Sequence, residues 1–230
     1  MRICLVLEGC YPYVNGGVST WMHQYITEMP EHEFVLWVIA AKAEDRDKFV
    51  YQLPSNVVEI HQVFLDDALR LKGTGVMDHA FTPEEIHALE ELISSGKPDW
   101  DLLFSMYQVQ RINPMSYLKS EAFLRAFEES LEKHYPYIAY ADAFHSTRSR
   151  LLPVLYLLST EVPKADCYHA ICTGYGGLLA SLGAYLYQKP LLLTEHGIYT
   201  GNGRKRLLVL NGWARHLNSS GFSFSTCCPS

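Results

Sequence analysis

Residues 2–26 read RICLVLEGCYPYVNGGVSTWMHQYI, and the way this stretch divides decides the fold. Its start, residues 2–7, runs on after Arg2 as five apolar residues without alternation, the pattern of a strand buried on both faces of a parallel sheet. Further on, Val18, Trp21, Met22, Tyr25, Ile26 and Met29 recur at spacings of three and four. That is an apolar stripe along a helix, and Pro30 stops it. Residues 33–40, EFVLWVIA, then form a second buried strand. The result is a β–loop–α–β unit whose crossover is expected to be right-handed.

The pattern continues outward from this unit. A third strand is expected at Val57–Val63. The TPEE segment from Thr82 to Glu85 reads as a capping box, with Pro83 in the first turn and the helix ending at Gly96 before Pro98. Residues 101–109 fit more than one element. A helix is expected from about Glu121 to His134, and another from near Pro153 to Ser159. DCYHAI (166–171) reads as a strand, GYGGLLASLGAYLY as a helix behind Thr173, and PLLLTE (190–195) as a strand. Strands alternating with helices predict an α/β fold: a Rossmann-like, mostly parallel sheet with helices on both faces. This domain is expected to span residues 1–200. From Gly201 to Ser230 the helical stripe disappears and a Ser/Thr/Cys cluster closes the sequence, so 201–230 reads as an atypical, poorly ordered tail. No internal repeat is visible.

Composition sets limits on function. The 230 residues are 48% hydrophobic and 19% charged, enough to bury a core. Net charge is −6 and the longest basic run is Arg204–Lys205–Arg206, which argues against nucleic acid as a partner. The six cysteines (Cys4, Cys10, Cys167, Cys172, Cys227 and Cys228) form no CxxC pair, so a zinc ribbon or thioredoxin-type site is not indicated. Cys4, inside an apolar run, reads as a reduced, buried thiol. The first apolar run is too short for a signal peptide and no stretch has the length of a membrane span, so a cytoplasmic protein is expected.

Ligands of open parallel sheets bind beyond the carboxyl ends of the strands, and the loops leaving those ends are unusual here. Between Glu8 and Gly17 lies the pair Gly16–Gly17. Either a tight turn there needs positive φ, or the missing Cβ atoms let a phosphate or sugar approach helix N–H groups. The GxGxxG dinucleotide fingerprint is absent. In HAICTGYGG (169–177), His169 is near a strand end, where a packed core residue is the plainer reading, and Thr173 stands where a helix cap would be. Gly176 and Gly177 could serve close helix–sheet packing. In LLLTEHGIYTGNG (191–203), Glu195 and His196 end a buried strand, where polar groups need work or partners. A histidine there suits proton transfer or hydrogen bonding to hydroxyls. No GxSxG elbow is present, and no ligand spacing supports metal binding through His169 and His196.

Together, LEGCYPYVNGGVSTWMHQYI, MPEHEFVLWVI, ADCYHAICTGYGGLLA and KPLLLTEHGIYT resemble the N-terminal domain of PelF-type glycosyltransferases. These are retaining, family-4 enzymes of the GT-B fold associated with exopolysaccharide synthesis. The resemblance implies two Rossmann-like domains about a cleft, the N-terminal one on the acceptor side. It implies a UDP-sugar donor, usually UDP-glucose, and no bound metal or other cofactor. It places Gly16 and Gly17 at the donor phosphates and sugar, and gives His196 the catalytic contact to the transferred sugar. Glu8, Tyr13, Asp166, His169, Thr173, Tyr175 and Glu195 become candidate acceptor or cleft residues. The implied partners are nucleotide sugar, a glycan acceptor and a membrane-associated polysaccharide synthesis complex, which could hold the protein peripherally at the inner membrane.

The likeness stops at Gly201, and the paired glutamates and Arg/Lys clamp of a donor domain have no counterpart here. The chain alone is therefore expected to be catalytically incomplete. The rival reading is a stand-alone Rossmann-like ligand- or partner-binding module. An NAD-dependent dehydrogenase fits poorly without its fingerprint.

Overall fold

The computed structural model describes residues 1–71, 79–94, 96–134 and 136–196. Two compact units share the chain: Met1–Asp67 with the segment from Glu161, and Ala68–Thr160.

The first unit carries β1 (Arg2–Glu8), α1 (Gly17–Thr27), β2 (Glu33–Ala40) and β3 (Val57–Phe64). After the excursion into the second unit come β4 (Cys167–Ala170), α7 (Tyr175–Tyr187) and β5 (Leu191–Leu193). The strands form one five-stranded sheet in the order β3-β2-β1-β4-β5. Every pairing is parallel, so the expected mostly parallel sheet is wholly so among the described residues.

The register explains the unbroken apolar runs. Ile3, Leu5 and Leu7 lie beside Phe34, Leu36 and Val38, and with Met22 and Ile26 of α1 they make one buried layer. Cys4 pairs with Tyr168 and Val6 with Ala170 on the opposite face, where α7 packs: Gly183 sits against the Tyr168 ring, and Gly176 near Val6. Helices thus cover both faces, and each interior strand needs apolar residues at successive positions. Burying each large apolar side chain contributes about 1.5–3 kcal/mol. Among the described residues no helix is long and apolar enough to cross a membrane.

The second unit is helical, with α2 (Pro83–Ser94), α3 (Trp100–Gln108), α4 (Pro114–Leu118), α5 (Glu121–His134) and α6 (Tyr140–Leu158). The expected capping box forms: Glu85 donates its N–H to Thr82 Oγ1 at 3.3 Å, and Thr82 donates its own to Glu85 Oε2 at 3.0 Å. The ambiguous stretch at 101–109 is helical, started by Asp99, whose Oδ1 accepts from the Leu102 N–H at 3.0 Å. The helix expected from Pro153 begins instead at Tyr140, with Pro153 in its interior. Proline removes one helical hydrogen bond. Buried Leu151, Leu152, Val154, Leu155, Leu157 and Leu158 flank it and hold the helix together. The expected tail, 201–230, lies outside the described residues.

Close approach of α7 to the sheet depends on one glycine. A Cβ on Gly183 would fall 2.3 Å from Tyr168 Cε1. Gly183→Ala is expected to destabilise the protein by about 2 kcal/mol or more, because the fully buried Tyr168 ring has little room to move. Urea unfolding of the two proteins measures this.

Candidate functional site at the carboxyl edge of the sheet

From β1 the chain leaves to α1 on one face, and from β4 to α7 on the other, so the direction of winding reverses between two neighbouring strands. Open parallel sheets bind ligands at such a reversal, beyond the carboxyl ends of the strands.

Glu8, the last residue of β1, turns its carboxylate toward the start of α7. Its Oε2 accepts from the Gly176 N–H at 3.2 Å and from the Cys172 thiol at 3.4 Å. Burial, and then the Glu8 carboxylate, push the Cys172 thiol far up, so it stays protonated and able to donate. The helix cap expected of Thr173 is corrected here: Gly174 holds the N-cap position, no side chain caps it locally, and Glu8 supplies the acceptor from another strand.

At α1 the arrangement differs. Gly16 is the N-cap, no side chain caps this helix, and its first turn carries no acidic residue. Gly16 has extended backbone (φ 171°), so the turn reading of this pair is overturned; the left-handed residue of the loop is Gly9 (φ 62°). A Cβ on Gly16 or Gly17 would meet nothing within 4 Å. Among the described residues neither the backbone nor packing requires glycine at either position. Among the described residues no side chain takes up the N–H groups at this positive end of a helix.

His196 lies one turn further along α1, against Trp21, with ring centroids 4.6 Å apart at 67°. Trp21 stacks on Tyr25 at 5.4 Å, and Tyr25 meets the His169 ring edge-on at 5.7 Å. His169 Nε2 is 2.8 Å from Thr194 Oγ1, two residues before His196. The contacts close a circuit of side chains from α1, β4 and the end of β5. His169 is 5% exposed and its Nδ1 is buried without a partner. Burial first, and the His196 charge second, push its pKa down to about 4, so it is the packed, neutral residue. His196 is the exposed one. Glu195 Oε1 is buried and unpartnered.

The remaining candidates separate. Asp166 precedes β4 and so lies at the amino edge of the sheet, where it accepts the Arg2 N–H at 2.9 Å and sits 4.0 Å from Lys189 Nζ. A four-residue strand, about 13 Å long, stands between it and the carboxyl edge. Its expected place in the cleft is therefore corrected to a structural role. Tyr13 packs on Phe49 and gives its hydroxyl to Gln62 Oε1; burial raises its pKa to about 12. Thr173 and Tyr175 are half-buried at the start of α7, beside the Glu8 contact. Among the described residues no cluster of three or more His, Cys, Asp or Glu could hold a metal.

Sequence reasoning placed Trp21 and Tyr25 in a core stripe and did not connect them with the histidines. Their spacing of four was the available signal, since it puts both rings on one side of the helix.

Residues 1–224 match the family described as a domain of unknown function, DUF3492. The chain belongs to DUF3492. No curated protein and no solved structure matches it. In this DUF3492 chain the match begins with β1 and includes the whole carboxyl edge described above.

The neutral His169 makes stability depend on pH. An ordinary histidine takes its proton near 6.5, whereas His169 takes one only near 4, so on acidification the unfolded chain binds the proton first. The contribution is complete above the unfolded value and is lost as pH falls toward the folded one. Between pH 7 and pH 5 the loss amounts to about 2 kcal/mol. His169→Gln is expected to flatten that part of the stability profile, measured by urea unfolding across the same range.

Proposed function

We propose that this DUF3492 chain is the N-terminal, acceptor-side part of a retaining glycosyltransferase. It transfers a sugar, with glucose from UDP-glucose the first candidate, to a growing exopolysaccharide or another glycan acceptor. The family's association with N-terminal domains of glycosyltransferase-like proteins supports this reading. So does the resemblance of its motifs to PelF-type enzymes.

The observation that carries the reading is the pair Gly16–Gly17. Glycines that neither the backbone nor the neighbouring atoms demand stand at the uncapped N-terminus of α1, at the carboxyl edge of the sheet. A diphosphate with its sugar fits against such N–H groups, and side chains at these positions would keep it away. One turn along α1 the exposed imidazole of His196 rests on Trp21; in this reading it contacts hydroxyls of the transferred sugar. Departure of a nucleoside diphosphate also needs positive charge from the opposite wall of the cleft, which a donor domain would supply. Alone, the chain should bind UDP-glucose only weakly.

Two measurements test this. Mixed with a separately produced donor domain of a PelF-type enzyme, UDP-glucose and an exopolysaccharide acceptor, the chain is expected to restore sugar transfer, read as UDP release. Neither part alone should do so. Micromolar binding of UDP-glucose by the isolated chain would count against the division of labour. Gly17→Ala separates ligand from fold: the added methyl has space, so unfolding free energy should not fall and should rise by up to about 1 kcal/mol. Transfer should fall about tenfold or more, because the donor is pushed out of line. Unchanged transfer would remove the role of the glycine pair.

A further inference from the structure

His169 occupies a place where an apolar residue would pack. It stands in register between Leu5 of β1 and Leu192 of β5, and it is 5% exposed. Among the described residues its Nδ1 is buried without a partner. A buried imidazole with one orphaned nitrogen is costlier than an aliphatic side chain of similar size, so packing alone does not account for a histidine here. Burial keeps the ring neutral, its pKa down at about 4. The contacts His169 does make lead to one residue by two routes. Its Nε2 is 2.8 Å from Oγ1 of Thr194, two residues before His196. Its ring meets Tyr25 at 5.7 Å, Tyr25 stacks on Trp21 at 5.4 Å, and Trp21 touches the His196 ring at 4.6 Å.

We propose that His169 is a positioning residue for His196: through Thr194 it fixes the chain that carries His196, and through Tyr25 and Trp21 the surface on which that ring rests. The inference rests on reading His196 as the contact to the transferred sugar, and adds the residue that sets its place. With Nδ1 facing no acceptor, the single proton of the neutral ring belongs on Nε2, which donates it to the Thr194 hydroxyl. Thr194 also donates its backbone N–H to the Ala170 carbonyl at 2.9 Å, so main chain and side chain both tie it to β4. The backbone bond continues the sheet and needs no particular residue. The side-chain bond needs a donor at 169, and it is the part that a leucine there would lose.

The test is NMR of the full chain, read as cross-peaks between the His196 ring and the Trp21 indole. The wild type is expected to show them, and its ring-nitrogen shifts to place the His169 proton on Nε2. Thr194→Val keeps the shape and the backbone bond and removes only the hydroxyl, so the cross-peaks should be lost. His169→Leu, which keeps an apolar filling, should lose them as well; Thr194→Val serves if that protein does not fold. His169→Gln carries an amide N–H near the place of Nε2–H and should retain them, a rescue that a merely space-filling role would not produce. Cross-peaks unchanged in the folded Leu and Val variants would overturn the proposal, as would a His169→Gln protein that behaves like His169→Leu, or a wild-type proton on Nδ1. The readout is a contact within the chain, so its failure is distinct from failure of sugar transfer.

Discussion

The parallel pairing of β1 with β4 is the constraint on which the rest depends. Strands far apart in sequence lie side by side, with Ile3 next to Cys167 and Val6 next to Ala170. Their outgoing chains turn to opposite faces. Everything of chemical interest follows from that: two helix starts at one edge, Glu8 reaching from one strand to the helix after the other, and His169 brought against Tyr25 of α1.

Charge is distributed along this edge by position. The carboxylate of Glu8 closes one helix end while the other presents bare backbone. Nearby, one histidine is kept neutral by burial, and the other stands exposed on an indole. The two rings therefore share little of the same work: His169 fixes the end of β5 through Thr194, and His196 faces outward. The stack of Trp21 on Tyr25 links both rings to α1.

The amino edge of the sheet is built for closure instead. Arg2 pairs with Glu59 and receives Asp166 on its backbone, and Lys189 lies beside that carboxylate. In the sequence Asp166 stands three residues before His169, yet Asp166 bonds the Arg2 backbone at the amino edge while His169 lies beside Leu5, within the sheet. Proximity along a strand is a poor guide to proximity in a site, since each residue advances the chain by more than 3 Å.

Sequence by itself determined the elements. The unbroken apolar runs at 3–7 and 34–40 fit strands buried on both faces, and the stripe from Val18 to Met29 a helix against them, because those patterns follow from backbone geometry. The capping box at Thr82 was equally legible, since its bonds are local. Pro153 misled, because a local preference for helix starts was outweighed by buried leucines on both sides of it. Tertiary structure alone decided the site. That Glu8, rather than Thr173, caps α7, that Gly9 and not Gly16 takes the left-handed conformation, and that Trp21 meets His196 are all consequences of strand order and register. Such contacts join residues distant in sequence, and no local pattern encodes which distant partner a side chain will find.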